Sequence, residues 1–218
     1  MSVSPDASPE RWSTDGAIEV VVTRLDPGPE AVRALSTWLS DAERQRARRF
    51  RFDRDRRRFI VARARLRMLL AARCRTRPEA IEFVYRRNGK PALAPRFADT
   101  GWRFNLSHCD DAAVYAFSRG REIGIDVEAI RAVREADDIA ARFFSRRENE
   151  AYLALAPRDK PLGFFNCWTR KEAFVKALGD GLSMPLDQFD VSLAPAGWRL
   201  HSFSPLPGFI AAVASHRG

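Results

Sequence analysis

One order of segments runs through this chain twice, and this repetition constrains its fold more than any other feature. Each half opens with a strand-like run, continues with two helical stretches and then returns to strands. The first half starts this order at Ala17–Leu25 and the second at Glu122–Ile130. We therefore predict an α+β fold of two similar α+β lobes in pseudo-twofold arrangement. The lobes should span residues 1–118 and 119–218, with the ligand site at their junction.

Helices are predicted where apolar residues recur at helical spacing, and strands where apolar and β-branched residues form short runs. The predicted helices are Pro29–Phe50, Arg54–Arg73, Ala136–Ala156 and Phe164–Leu178. The predicted later strands are Ile81–Tyr85, Trp102–Phe104, Ala112–Phe117, Gln188–Leu193, Trp198–Phe203 and Phe209–Ala214. Residue identity between the halves is slight, so an unduplicated α+β chain stays an alternative at this coarseness.

Composition is that of a soluble globular protein. The chain has 218 residues, 45% of them hydrophobic, which is enough to bury a core. Its longest apolar stretch, Leu66–Ala72, is broken by Arg67 and is far shorter than the roughly 20 residues of a membrane helix. The segment Met1–Glu10 lacks the basic start and apolar run of a secretory signal and is expected to be a frayed tail. No cysteine has metal-ligand spacing, so we expect reduced thiols and a cytoplasmic location.

The charge balance predicts an acidic partner. The formal net charge is +9 and the pI is near 10.3, which fits nucleic acid, an anionic membrane, a polyphosphate ligand or an acidic protein. Arginine is the default base, because the chain has only four lysines. Three of them, Lys90, Lys171 and Lys176, fall in the motifs described next, where a compact ammonium suits phosphate oxygens.

Two carboxylates stand close together in the run Ile-Gly-Ile-Asp-Val-Glu. Alternation along a strand sends Asp126 and Glu128 to the same side, where two negative charges repel. A hard divalent cation relieves that repulsion while both groups stay ionised, and Mg²⁺ is the natural candidate. A third acid, Glu172, would complete the protein's share of the ligands. Taken alone, such a pair is also common as a solvated strand edge.

The helix from Phe164 carries the third acid and two of the lysines. Helical spacing places Trp168, Glu172 and Lys176 on one face, with Lys171 beside them. In this hypothesis the lysines hold phosphate oxygens. The alternative is an ordinary amphipathic helix in which Trp168 belongs to the core and Glu172 and Lys176 form a surface pair.

Three further segments carry candidate phosphate contacts. Ser107 and His108 lie where a strand is expected to end, although a capped turn explains that segment equally well. Lys90 follows an Asn-Gly pair that first of all indicates a hairpin turn. The arginine-rich run Arg44–Arg67 fits a helix pair with a charged outer face, or a phosphate platform. No Ser, His and Asp ordering predicts a hydrolase triad.

Taken together, these motifs resemble the 4′-phosphopantetheinyl transferases, of the larger single-chain type that activates peptide and polyketide synthases. The match covers nearly the whole chain in order and spacing. Its motifs are Gly89–Pro91, Asn105–His108, Gly124–Glu128, Arg142–Ser145 with a later Glu, and Trp168–Leu182. The resemblance implies the two-lobed fold of that family. It also implies a Mg²⁺-dependent enzyme that moves the 4′-phosphopantetheine arm of coenzyme A to a serine of an apo acyl or peptidyl carrier protein and releases 3′,5′-adenosine diphosphate.

The resemblance also assigns residues, by matching motif positions. It implies Asp126, Glu128 and Glu172 as Mg²⁺ ligands. Because the attacking serine must lose a proton and the leaving oxygen gains negative charge, we further predict Glu172 as the base and Lys176 as the catalytic cation. The resemblance implies contacts with coenzyme A from Lys90, Ser107, His108, Lys171, Lys176 and Arg46. It further implies Glu148 as an acid near the site and Ala132–Arg142 as the segment that meets the acidic carrier protein.

One position departs from the family pattern. Where relatives often have two basic residues for the 3′-phosphate of coenzyme A, this chain has Glu43 and Arg46, so Arg44 or Arg48 could substitute. Two other functions stay open from the residues alone. One is a nucleic-acid-binding module, favoured by the basic charge, and the other is a Mg²⁺-dependent phosphoesterase. Because two lobes can supply both halves of a site, we expect a monomer without membrane association.

Overall fold

The computed structural model of the protein describes residues 10–14, 18–86, 89–179 and 184–217. The expected tail over residues 1–9, as well as Asn88 and residues 180–182 of the motifs, lie outside the described residues. The elements of the N-terminal lobe are β1 Glu10–Thr14, β2 Ile18–Arg24, α1 Pro29–Ser36, α2 Asp41–Arg48, α3 Asp53–Cys74, β3 Phe83–Tyr85, β4 Pro91–Leu93, β5 Trp102–Cys109 and β6 Ala112–Arg119. Those of the C-terminal lobe are β7 Ile123–Ala129, α4 Ala136–Phe143, α5 Arg146–Leu153, α6 Lys160–Leu178, β8 Trp198–Phe203 and β9 Phe209–His216.

The two lobes share one topology. The N-terminal sheet has the strand order β1-β2-β6-β5, and the C-terminal sheet has the order β7-β9-β8, with antiparallel neighbours in both. In the N-terminal sheet the last strand, β6, lies between β2 and β5, and in the C-terminal sheet the last strand, β9, lies between β7 and β8. Each lobe also has two eight-residue helices followed by one long helix. The predicted α+β fold of two similar lobes is confirmed, whereas the boundary at residue 118 stays a prediction.

The two sheets pack face to face, and each lobe's long helix covers the outer face of its own sheet. Strand β6 shows this in its alternation, because Val114 packs into the cluster between the sheets whereas Tyr115 packs into the cluster under α3. Strand β9 alternates in the same way, with Val213 between the sheets and Ala214 under α6. Both faces of these strands are therefore buried, and their residues are almost continuously apolar.

Two predicted helices are each split into two. The prediction Pro29–Phe50 becomes α1 and α2, and Ala136–Ala156 becomes α4 and α5. In both places a serine, Ser40 or Ser145, starts the second helix with a capping box, accepting from the backbone N–H three residues on. The local hydrogen bonds of the caps outweigh the continuous apolar spacing that predicted single helices.

One predicted strand, Gln188–Leu193, is wrong. This segment has a short 3-10 helix at Leu186–Gln188 and then irregular backbone. Side chains of α6 and α5 take its backbone groups: Lys171 donates to the carbonyl of Phe189, Arg170 donates to that of Val191, and Glu148 accepts from the N–H of Val191. Backbone groups satisfied in this way do not need a neighbouring strand.

Strand β5 is longer than predicted, and strand β1 was not predicted. β5 continues through Cys109, so Ser107 and His108 lie within a strand rather than in the expected turn. The turn comes two residues later, at Asp110, whose φ of 50° is left-handed. Strand β1 was not predicted at all and adds an outer strand beside β2.

Within the described ranges, no helix has the length and apolar character to cross a bilayer.

Candidate active site at the lobe junction

Strand β5 of the N-terminal lobe lies alongside strand β7 of the C-terminal lobe, and three side chains of β5 reach across. Asn105 Oδ1 accepts from the N–H of Ile125 at 2.8 Å. Ser107 Oγ donates to Asp126 Oδ1 at 2.8 Å, and the Cys109 thiol lies 3.4 Å from Glu128 Oε2. Later residues of β5 thus contact later residues of β7, so the two strands run in the same direction where they meet. Both predicted acids of β7 are therefore held from the other lobe.

A glycine in β7 lets α6 approach this pair of acids. A Cβ added at Gly124 would lie 2.1 Å from the carbonyl oxygen of Ala173 and 2.4 Å from the amide nitrogen of Ala177, which no side chain tolerates. Glycine therefore permits backbone contact between β7 and α6 at this crossing. The contact brings the turns of α6 that carry Glu172 and Lys176 next to the strand that carries Asp126.

The ammonium of Lys176 meets Asp126 and Ser107 at this crossing. It donates to Asp126 Oδ1 at 2.5 Å and to Ser107 Oγ at 3.2 Å, while 30% of its side chain stays exposed. Asp126 is 4% exposed, and its second oxygen, Oδ2, is buried without a hydrogen-bond partner among the described residues. An orphaned carboxylate oxygen in a buried place is a strong acceptor for a cation or a proton.

The three acids influence one another. Burial raises the pKa of Glu128, and the charge of Asp126 raises it further. Burial likewise raises the pKa of Glu172, against a lowering by Lys176, and the charges of Asp126 and Glu128 add to the increase. All three carboxylates therefore share one electrostatic environment with an excess of negative charge.

This environment suits a hard cation, although it is not a ready-made metal centre. Within the described part of the chain, no three His, Cys, Asp or Glu side chains are already arranged to hold a metal ion. The ammonium of Lys176 instead partners the Asp126 carboxylate. The orphaned Oδ2 of Asp126 is nevertheless a site for an oxygen-ligated divalent ion, and such an ion would favour the charged forms of Glu128 and Glu172, whose pKa values are raised by burial and by neighbouring carboxylates.

Lys171 does not join the cluster. It is fully buried, and its ammonium lies 2.7 Å from Glu148 Oε2. It also donates to the carbonyl oxygens of Leu186 and Phe189, both at 2.7 Å. All three N–H donors thus have partners inside the C-terminal lobe. The expected contact of Lys171 with a diphosphate therefore stays a prediction that would require these buried contacts to break, and Glu148 is likewise held inside this lobe.

Lys90 contacts the backbone of the other lobe. Its ammonium donates to the carbonyl oxygens of Ile123 at 2.9 Å and Lys176 at 2.5 Å, and Glu122 Oε2 lies 4.0 Å away. Burial lowers the pKa of Lys90 to about 8, although Glu122 acts in the opposite direction. The side chain is only 12% exposed.

His108 and Arg46 lie on the N-terminal side of the cluster. Partial burial of the imidazole lowers the pKa of His108, and the positive charges of Lys176, Arg58 and Arg46 lower it further. Arg46 is exposed on α2, with its guanidinium 5.2 Å from the centroid of the Phe59 ring. Lys176, Arg58 and Arg46 therefore place positive charge around His108, and its lowered pKa favours the neutral ring. Arg44 is engaged instead with Asp41 and the carbonyl of Leu39.

Glu43, the departure from the family pattern, is part of the N-terminal core. It is 5% exposed and accepts from Arg63 at 2.5 Å and Arg67 at 2.7 Å. Burial opposes its ionisation, but the hydrogen bonds from Arg67 and the Ser40 amide, with the charges of both arginines, outweigh burial and lower the pKa. The carboxylate therefore stabilises the lobe, and no basic residue can take its place without leaving both arginines unpaired.

Sequence reasoning missed three contributors to the site. Asn105 belongs to the motif whose Ser107 and His108 were singled out, Cys109 follows that motif directly, and Gly124 belongs to the motif of the two acids. A glycine between two buried strand residues is a signal of close backbone approach and could have identified Gly124. The contacts of Asn105 and Cys109 have no comparable local signal.

Comparisons with known proteins find matches to both halves of the chain. A family profile described as the 4′-phosphopantetheinyl transferase superfamily matches residues 122–212, and one described as 4′-phosphopantetheinyl transferase, N-terminal, matches residues 24–119. The 4′-phosphopantetheinyl transferase HetI of Nostoc sp. is 38% identical over 199 residues, covering 87% of this chain and 84% of HetI. The transferase ffp of Bacillus subtilis is 30% identical, covering 77% and 72%, and Sfp of the same species is 38% identical, covering 54% and 50%.

Proposed function

The chain belongs to the 4′-phosphopantetheinyl transferases, and we propose that it transfers the 4′-phosphopantetheine arm of coenzyme A to a serine hydroxyl of an apo acyl or peptidyl carrier protein. Its other product is 3′,5′-adenosine diphosphate. The protein is an enzyme of the larger type, built from two lobes. The relatives' names support transfer to carrier proteins, and the site contacts support the identity of the residues that carry it out.

The observation that carries this proposal is the junction of β5, β7 and α6. Ser107 from one lobe and Lys176 from the other both contact Asp126, and the charges of Glu128 and Glu172 act on the same place. A diphosphate needs positive charge, and an attacking hydroxyl needs a base. This junction offers an ammonium and three carboxylates within one cluster, and a site at a lobe junction is accessible to two substrates.

Glu172 is the proposed general base. A serine hydroxyl is a weak nucleophile at neutral pH and must lose its proton as it attacks. The raised pKa of Glu172 makes its carboxylate a better proton acceptor than an ordinary exposed one. The carrier's serine oxygen forms a bond to the phosphorus that bears the pantetheine arm, and the bond from that phosphorus to the bridging oxygen breaks. The proton passes to Glu172, and no covalent enzyme intermediate is needed.

Lys176 is the proposed partner of the leaving group. Its ammonium lies at the entrance of the cluster and can follow the negative charge that develops on the bridging oxygen. Asp126, Glu128 and Glu172 would hold Mg²⁺, which when bound neutralises charge on the diphosphate. Ser107 contacts Asp126 and Lys176, and the charge of Lys176 also acts on His108. We propose that both side chains contact phosphate oxygens. Arg46 is the proposed 3′-phosphate contact, because Arg44 is already engaged and Glu43 is buried.

The carrier protein is proposed to dock along Ala132–Arg142. This segment borders a surface cavity of about 330 Å³, with Tyr152 and Phe164 in its wall. Complementary charge between the basic chain and an acidic carrier would speed their encounter. Cys74, Cys109 and Cys167 are free thiols, and we propose that the protein works in a reducing cytoplasm.

A carrier-loading assay tests the proposal. Purified protein is incubated with coenzyme A, Mg²⁺ and a panel of apo carriers from fatty acid, polyketide and nonribosomal peptide synthesis. At least one carrier should gain the mass of the arm, and a carrier with alanine in place of its serine should not. The variant Asp126→Ala should load none, and excess Mg²⁺ should not rescue it, because the central acid of the cluster is missing.

The same assay separates the other two functions. Hydrolysis of coenzyme A without any acceptor would indicate a phosphoesterase, and an unmodified panel would overturn the transferase proposal. Tight and steeply salt-dependent binding of RNA would instead support a nucleic-acid-binding module. The matches to the family profiles and relatives support neither alternative.

A further inference from the structure

Lys90 ends a hairpin turn of the N-terminal lobe, yet among the residues that the structure describes its ammonium contacts Ile123, Lys176 and Glu122 of the C-terminal lobe. The two carbonyl oxygens that it meets, those of Ile123 and Lys176, belong to the start of β7 and the last turn of α6. These are the two elements that supply Asp126, Glu128, Glu172 and Lys176. The side chain of Lys90, from a turn of the N-terminal lobe, therefore links β7 to α6.

The contact with Lys176 satisfies a specific need of helix α6. The last four carbonyls of an α-helix have no partner within the helix. In α6 the N–H of Gly179 takes the carbonyl of Val175, and the ammonium of Lys90 takes the next one, that of Lys176. A positive charge at a helix C-terminus is also favoured by the helix dipole. Lys90 thus acts as a C-terminal cap that comes from the other lobe.

The surroundings of Lys90 keep its ammonium in this place. Glu122 lies 4.0 Å away and is shared with Arg86 at 3.1 Å and Arg103 at 2.9 Å. The Lys90 side chain is almost fully covered, whereas Arg103 is 43% exposed. Two strong carbonyl contacts in a covered place leave the ammonium little freedom to follow a ligand.

We propose that Lys90 is a positioning residue that fixes α6 against β7, and so holds Glu172 and Lys176 in register with Asp126. This inference rests on the proposed function for its effect on turnover. It differs from the resemblance, which expects Lys90 to contact coenzyme A directly. A positioning role affects the rate of transfer, whereas a ligand role affects the affinity for coenzyme A.

The test compares Lys90→Met and Lys90→Arg with the control Arg103→Met. The control removes a neighbouring cation of Glu122 and leaves the side chain of Lys90 unchanged. Three quantities are measured for each: kcat and KM for carrier loading, the Kd for coenzyme A by calorimetry, and hydrogen exchange of the amides in residues 123–125 and 176–179. Lys90→Arg retains a cation with several N–H donors and covers the case in which Lys90→Met does not fold.

We expect Lys90→Met to lower kcat at least ~10-fold, because a displacement of about 1 Å at a site can cost ~100-fold. Its Kd for coenzyme A should stay within ~3-fold of wild type, and exchange of the named amides should accelerate. Lys90→Arg should restore part of kcat, and Arg103→Met should resemble wild type. A Kd weakened more than ~10-fold with unchanged exchange and kcat would overturn the inference. If the wild type loads no carrier, the proposed function fails, while exchange and coenzyme A binding still test the cap.

Discussion

Glu43 and Glu148 occupy the same place in the two lobes. Each is the third residue of its lobe's second short helix, completes a capping box with a serine and is 5% exposed. Each carboxylate lies 2.7 Å from a base located roughly two turns before the end of the long helix, Arg67 in one lobe and Lys171 in the other. Each base also donates to carbonyls around the following 3-10 helix. Lys171 is therefore an architectural residue.

Replacement of Lys171 should reduce stability rather than ligand affinity. Lys171→Met leaves the buried Glu148 carboxylate without its cation, which costs roughly 3–5 kcal/mol of unfolding free energy. Denaturant unfolding measures this loss. Lys160→Met, at a surface pair with Asp137, should cost far less, because solvent screens this pair. If Lys171→Met keeps full stability and has a raised KM for coenzyme A, Lys171 contacts the diphosphate and this prediction is wrong.

A base restored at position 43 should not improve binding of coenzyme A. Glu43→Lys would place a third cation beside Arg63 and Arg67 in a covered place, and we expect a loss of roughly 3–5 kcal/mol. Gln45→Lys, exposed on the same helix, should change stability by roughly 0.5 kcal/mol at most. The two variants are compared by denaturant unfolding and by calorimetric titration with coenzyme A. Tighter binding by a fully stable Glu43→Lys protein would refute this prediction.

Gly124→Ala should disturb catalysis through packing. The added methyl group would meet backbone atoms of α6, so the helix must move away from β7. Overpacking of this kind costs roughly 1–3 kcal/mol, and the displaced Glu172 and Lys176 should lower kcat ~100-fold. Thermal unfolding and steady-state kinetics measure both effects. Gly28→Ala is the matched control, because a methyl group there has open space, and wild-type kinetics for Gly124→Ala would show that the close crossing is not needed.

Glu172→Gln should lower kcat by at least ~100-fold, because the amide cannot accept the serine proton. The KM for coenzyme A should change far less, since Lys176 and the phosphate contacts remain. Kinetics at saturating coenzyme A and varied carrier separate the two effects. Glu79→Gln, at an exposed acid of the N-terminal lobe, provides the control. Near-normal turnover by Glu172→Gln would mean that another group takes the proton.

Lys90 should make the stability of the folded protein depend on pH. Its ammonium has a pKa of about 8 in the fold against an ordinary 10.5, so between these values the unfolded chain binds the additional proton. The contribution of Lys90 to the unfolding free energy therefore rises with pH from about 8 to 10.5. As pH falls again, this contribution decreases and is lost by about pH 8. Urea unfolding at several pH values should show this rise in wild type and in Arg103→Met, but not in Lys90→Met. Parallel curves for all three proteins would contradict the prediction.

Much of the fold follows from local pattern. Strands β2, β7 and β8 and the two long helices were predicted from apolar spacing. Each of them buries one or both faces, so its apolar residues recur with the period of a strand or a helix. The helix breaks at Ser40 and Ser145 depend on capping boxes, which are also local and were overlooked. The irregular segment after Leu186 could not be predicted in this way, because side chains from α5 and α6 satisfy its backbone.

By itself, the sequence determined that Asp126 and Glu128 share one face of a strand, and that Glu172 and Lys176 share one face of a helix. Strand alternation and helical spacing are local, so they need no knowledge of the rest of the chain. Only the tertiary structure decided which lysine meets which group. Lys176 partners Asp126 across 50 residues, whereas Lys90 reaches the backbone of Lys176 across 86. Three ammonium groups of identical chemistry received three different roles, because distant elements set their neighbours.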